Sequence, residues 1–101
     1  VTDVHDVGRL MKQMQRLQQD MARLQDELRQ ERIQAAAGGG VVRAVVDGHG
    51  ALVDLTIDPS VVDPADVPML TDLVLAAVTA AQRAARERAE EKMRALGAGL
   101  P

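Results

Sequence analysis

At 101 residues and a formal charge of −3, the chain (residues 1–101) is the size of one small domain, or of half a symmetric pair. It contains no Phe, Tyr, Trp or Cys, which excludes base stacking on aromatic platforms, disulfides, thiol nucleophiles and cysteine-ligated clusters. Its 47% hydrophobic and 27% charged residues belong to a folded protein, and no run approaches the ~20 apolar residues of a membrane span or forms a signal-peptide core, so a cytoplasmic chain with no membrane partner is expected.

The first element is a helix predicted over 7–32. Val7, Leu10, Met14, Leu17, Met21, Leu24 and Leu28 recur at alternating steps of three and four, an a/d heptad seam that stops at Glu31. Asp6 is the expected N-cap, with Asp3 as the competing choice. Such a helix runs ~40 Å, longer than a thin core can cover, so part of it must project or meet a partner helix. Ile33 to Ala37 can form a first strand, although alanine-rich runs prefer helix. Gly38-Gly39-Gly40 breaks any helix and reads as a turn.

Val41 to Asp47 and Ala51 to Asp58 read as an antiparallel pair joined by the Gly48-His49-Gly50 turn. In the second strand Ala51, Val53, Leu55 and Ile57 are expected on one face and Leu52, Asp54 and Thr56 on the other. Asp58-Pro59-Ser60 ends the strand. Pro64 or Pro68 can open a second helix at its first position, predicted over 68–96 with Gly97 and Gly99 as its stop. Its apolar face is Leu70, Leu73, Val74, Ala77, Val78, Ala81, Ala84, Ala85 and Ala89. All of the apolar residues are small or thin, and a core without aromatics leans on association, so a dimer is expected.

The negative net charge hides an uneven distribution. Residues 35–75 carry six acids against one base, Arg43, whereas 7–34 and 76–101 each carry two more bases than acids. Opposite the heptad seam run Arg9, Lys12, Arg16, Gln19 and Arg23, with no acid among them. Like charges at these spacings repel, so the stripe is either a solvated face or an anion-binding one. On the second helix, Arg83, Arg86, Arg88, Lys92 and Arg94 alternate with Glu87, Glu90 and Glu91. The spacings Arg83–Glu87, Arg86–Glu90 and Glu90–Arg94 are those of local ion pairs.

No catalytic residues, metal site, cofactor or small-molecule substrate are expected. His5 and His49 have no partner at ligand spacing, Ser60 is the lone serine, and Asp54 and Asp58 lack a third catalytic group. The triple glycine leads into a strand and lacks the Lys-Ser/Thr of a phosphate loop.

Leu10-Met11-Lys12-Gln13-Met14-Gln15, Met21, Leu24 to Leu28, the Val53 to Ser60 segment ending Ile57-Asp58-Pro59-Ser60, the Leu70 to Ala81 block and Glu91-Lys92-Met93 together resemble the YbaB/EbfC family of bacterial nucleoid-associated proteins. The likeness runs in order from about Val7 to Met93. It implies an α+β fold: an α-β-β-β-α protomer with a small antiparallel sheet and two long projecting helices, paired into a tweezer-like homodimer. It supports the strand at 33–37, and it implies a nucleoid protein that binds double-stranded DNA with little sequence preference through its arms. Carried onto this chain, the contact residues are Arg9, Lys12, Arg16 and Arg23 on the first helix and Arg83, Arg86, Arg88, Lys92 and Arg94 on the second. The short stretch from Gly97 to Pro101 and the Ala- and Arg-rich second helix depart from the family pattern. Helix, strands, helix with heptad arms also describes prefoldin-like clamps or adaptors for protein partners, with Met11, Met14 and Met21 as the adaptable surface. A subunit of a larger assembly is a third reading.

Overall fold

The computed structural model describes residues 4–98, apart from the side chains of His5 and Ala98. The elements are α1 (Val4–Gln30), β1 (Ile33–Ala37), β2 (Val42–Val46), β3 (Leu52–Ile57), a single 3-10 turn (Pro59–Val61) and α2 (Val67–Ala98). This is the α-β-β-β-α order expected, with a three-stranded antiparallel sheet in the order β1-β2-β3.

The helix ends differ from the expectation. α1 begins at Val4, so Asp6 lies in its first turn rather than at its cap, where a carboxylate still favours the positive end of the helix. Asp3, the competing cap, lies outside the described residues, as do Gly99 and Pro101. α1 also closes two residues early: the Glu31 amide still bonds back to Glu27 and Leu28, but Glu31 and Arg32 have left the helix. α2 begins one residue before Pro68. Its N-terminus is held by Asp66, whose Oδ1 accepts the Met69 amide at 3.3 Å, so Pro68 occupies the second helical position, where a missing N–H costs nothing. Gly97 lies within α2 and does not end it.

The core is a stripe of alanine laid on a stripe of valine. Ala77, Ala81 and Ala85, one helical turn apart, are buried against Val42, Ala44 and Val46 of β2 and Ile33 of β1. Methyl-sized side chains let the helix lie close to the sheet, which is how a chain without aromatics achieves a dry interior. α2 crosses β1 and β2 and leaves β3 at an open edge. β3 carries a bulge: Val45 faces Asp54 but Val46 faces Leu52, so Val53 is the extra residue and Leu52 takes the place expected for it opposite the buried Val46. Leu55 and Ile57 keep their expected inward positions, half-buried.

Gly48 fixes the hairpin tip to α1. Its amide donates to the Leu28 carbonyl at 2.7 Å, and a Cβ there would stand 2.6 Å from that same oxygen. The tip is held on the other side by Gln82, whose Nε2 donates to the Gly50 carbonyl at 3.1 Å. Asp47 Oδ1 closes the turn by accepting the His49 and Ala51 amides at 2.8 and 3.0 Å. Gly48→Ala is therefore expected to push α1 off the tip and cost about 1–3 kcal/mol, read as a lower urea midpoint.

The molecule measures 75 × 17 × 16 Å. Past the hairpin tip the last turns of α2 run antiparallel to the end of α1, with Ala95 and Leu96 beside Asp20 and Leu24. Beyond Asp20, α1 continues alone, and every described side chain from Val4 to Arg16 is exposed. About 48 Å of α2 followed by about 24 Å of lone α1 accounts for the long axis.

Candidate nucleic-acid interface

The structure separates the nine cations expected at the site into four groups. Arg9, Lys12 and Arg16 stand on the lone part of α1, exposed, with no ion pair among the described residues. Arg23, one to two turns further on, is exposed and lies 3.8 Å from Asp20, a loose contact with little hold on it. Arg83, Arg86 and Arg94 are exposed on α2. The local pairs expected for them, Arg83–Glu87, Arg86–Glu90 and Glu90–Arg94, do not form: every acid–base contact of α2 among the described residues crosses instead to Glu27 near the end of α1 or to Glu31 just past it.

Those crossing contacts converge on Glu31. Its Oε1 lies 2.7 Å from Lys92 Nζ and its Oε2 3.0 Å from Arg88 Nε, while Lys92 also reaches Glu27 at 3.7 Å. The Glu31 side chain is only 16% exposed, which strengthens the attraction relative to a freely solvated pair. Arg88 and Lys92 thus hold the two helices together and are less free for a ligand than the other cations. The signal for this lies in the heptad itself. Glu31 takes the next d position of the seam one residue past the end of α1, and its carboxylate meets Arg88 and Lys92 of α2.

The lock has a pH window. The Lys92 hydrogen bond, helped by Arg88, holds the Glu31 carboxyl below its ordinary value near 4.5, and the same bond raises Lys92 above 10.5. Glu31's contribution is complete above the ordinary carboxylate value and is lost as pH falls through the lower folded one. Lys92's is complete below 10.5 and is lost as pH rises through the higher folded one. Asp47 and Asp58 are also held low by backbone amides, of Ala51 and then His49 for the first and of Ser60 for the second. Glu31→Gln is therefore expected to flatten part of the acid-side loss of stability and leave the rest, measured by thermal melts between pH 3 and 7.

Arg86 lines a depression with Gln25, Gly48, His49, Gln82 and Met93, where His49 Nε2 lies 3.2 Å from the Gln25 carbonyl. On the far side of the sheet from α2, Gln34, Arg43, Val45, Asp54 and Thr56 form an open, mixed surface. Arg43 is exposed there, its Nε donating to the Gly40 carbonyl at 3.2 Å. Arg29 is paired with Asp26 at 2.8 Å. Among the described residues no group of three or more His, Asp or Glu side chains is placed to hold a metal, and no helix is long and apolar enough to cross a membrane.

Comparison with known proteins agrees with this architecture. The model of the YbaB/EbfC DNA-binding family matches residues 4–100. Proteins named nucleoid-associated protein are 44% identical in Acetivibrio thermocellus, 46% in Rhodococcus erythropolis and 47% in Streptomyces griseus, each over 94% of this chain and over 84%, 85% and 83% of the relative. The crystal structure of the uncharacterized protein HP0035 from Helicobacter pylori superposes with a TM-score of 0.71 at 23% identity, covering 90% of this chain and 92% of that one, a likeness of fold. With the family model spanning nearly all of its length, the chain belongs to the YbaB/EbfC DNA-binding family.

Proposed function

We propose that this chain acts as a homodimeric nucleoid-associated protein that binds double-stranded DNA with low sequence preference in the cytoplasm, altering its conformation, compaction or protection. The observation that carries the reading is the lone stretch of α1, with Arg9, Lys12 and Arg16 on one face and no acid paired to them among the described residues. Cations on a narrow projecting rod neutralise phosphates and release counterions without reading bases. The side-chain inventory agrees with weak specificity. There is no Asn for adenine and no aromatic for stacking, while arginine–guanine contacts remain possible.

Arg9, Lys12, Arg16 and Arg23 form the primary contact in this reading, and Arg83, Arg86 and Arg94 add a second. Arg88 and Lys92 set the angle between the helices. Lys92→Ala is accordingly expected to lower stability while reducing DNA affinity less than Lys12→Ala does, a comparison made by melts and binding on the same samples. Pairing into a dimer is supported by the uncovered side of the sheet. β3 is an edge strand paired on one side only, and its Leu52 and Val53 are half exposed. The protein is read as a binder rather than an enzyme.

Competition among unrelated duplexes of equal length, with the solution mass measured alongside, tests the reading. Equal competition by a protein of two-chain mass supports it. Competition by one sequence only, or a stable monomer that binds, contradicts it. The reading as a clamp for protein chains keeps one observation, the exposed Leu10, Met11 and Met14. It predicts a target interaction that persists in high salt, where phosphate binding collapses.

A further inference from the structure

Two depressions flank the line where α2 meets the end of α1, and they differ in charge. One lies beside the Glu31 lock and is lined by Asp20, Arg23, Glu27 and Lys92, so its cations already face acids. The other lies at the hairpin tip. It is lined by Gln25 of α1, His49 of the turn, and Gln82, Arg86 and Met93 of α2, with no carboxylate among the described residues around it.

Hydrogen bonding shows which of these polar groups have capacity to spare. Gln82 is engaged, its Nε2 donating to the Gly50 carbonyl at 3.1 Å. His49 Nε2 lies 3.2 Å from the Gln25 carbonyl, and a carbonyl only accepts, so the hydrogen is assigned to Nε2 and Nδ1 is the free nitrogen. The Arg86 guanidinium and the Gln25 side-chain amide have no partner among the described residues. Glu90 has the spacing to pair with Arg86 and does not, and the Asp47 carboxylate accepts the His49 and Ala51 amides. A concave site with a charge, uncommitted donors and no acid selects an anion.

The neighbouring surface says which anion. From Gln25 back to Lys12, about 20 Å along α1, the same flank carries Ala22, Gln19, Gln18 and Gln15 and no acid. Asp20 and Glu27 lie on the opposite flank, and Asp26 is tied to Arg29 at 2.8 Å. A track of that length suits a chain of phosphates, which follow one another about every 3.4 Å of duplex axis on each strand.

We infer that the hairpin-tip depression is a phosphate subsite for the backbone of duplex DNA, in which Arg86 supplies charge and His49 and Gln25 supply hydrogen bonds. This rests on the reading of the chain as a DNA binder, and it extends the contact from the lone arm to the body of the protein. A phosphate beside the ring favours the imidazolium, in which Nδ1 donates as well, so binding draws a proton onto His49. The charged groups around the ring are Asp47 in the same turn, Arg32 just past α1 and Arg86 on α2, while α1 presents the uncharged Gln25.

Anisotropy of a labelled duplex without terminal phosphates, measured from pH 8 to pH 5.5, tests the subsite. The chain has two histidines, so His5→Gln is the control for His49→Gln. The unmodified chain and His5→Gln should bind several-fold tighter at the acid end, and His49→Gln should lose that gain. Arg86→Gln should lower the log–log salt slope by about one. The double variant should lose less than the two single losses combined, because both side chains act on one phosphate. Gln at position 49 retains an N–H for the Gln25 carbonyl, and His49 and Arg86 are exposed, so melts should show the fold intact. A gain that survives His49→Gln, or affinities unchanged in both variants, overturns the subsite while the DNA reading stands. No binding by the unmodified chain overturns both. Inorganic phosphate distinguishes the source: a His49 ring resonance that moves with phosphate but not with the duplex assigns the depression to a free anion and overturns the inference.

Discussion

Charge reversal at both Lys12 and Arg16 is expected to weaken binding to every duplex alike, by on the order of tenfold for each charge reversed, and to lower the log–log salt slope by about one for each residue. The two side chains sit one turn apart on a stretch of α1 that touches nothing else among the described residues, so the substitutions change charge without disturbing packing. They also relieve the repulsion among Arg9, Lys12 and Arg16 along one helix face, so the arm should fold at least as well as before. A drop in affinity with unchanged helix content therefore isolates the phosphate term. Arg88→Glu makes the contrasting case, because it places two carboxylates together at the lock and should loosen α1 from α2. Unchanged affinity in the Lys12 and Arg16 variant would remove α1 from the interface altogether.

The second large effect is expected at Ala81→Leu. Ala81 is completely buried in the middle of the alanine stripe, over the valines of β2, where methyl-sized side chains set the distance between helix and sheet. Three added carbons have no void to enter, so either α2 lifts from the sheet or β2 moves. Overpacking of this kind costs about 1–3 kcal/mol, which for a domain near 100 residues lowers the melting temperature by about 4–20 °C. The comparison is made at one protein concentration, since any dimer makes melting concentration-dependent. An unchanged melting temperature would mean that the interface is looser than the burial of Val42, Ala44 and Ala81 indicates.

The sequence made local periodicity legible and left three-dimensional meetings hidden. The Leu24 and Leu28 end of the seam, the turn at Gly48-His49-Gly50 and the alanine face of α2 follow from spacing alone and stand in the structure, whereas Val7, Leu10 and Met14 of the same seam are exposed. The strand at Ile33–Ala37 was ambiguous by propensity. It is settled by pairing with β2, since an alanine-rich run becomes a strand when a valine-rich neighbour and a buried helix face require it. The bulge at Val53 left no trace, because alternation in Val53, Leu55 and Ile57 looks the same whether or not one residue is extra. The charges misled for a related reason. Arg86 and Glu90 have the spacing of a local pair, but Arg88 and Lys92 find Glu31 across the helix interface, a residue far away in sequence that the fold brings to 3.0 and 2.7 Å. Of the cationic residues, those on the lone arm could be read from sequence as a stripe. Which cations on α2 are already engaged could not, because that depends on where α1 ends.

The central claim, that the cations of α1 bind duplex DNA through phosphates, is tested most directly by fluorescence anisotropy of a labelled duplex across a salt series. Affinity should fall linearly on log–log axes, by about 0.9 per phosphate contacted, and equally for unrelated sequences. An affinity insensitive to salt, or no binding at low salt by protein whose fold and two-chain mass are intact, would contradict it.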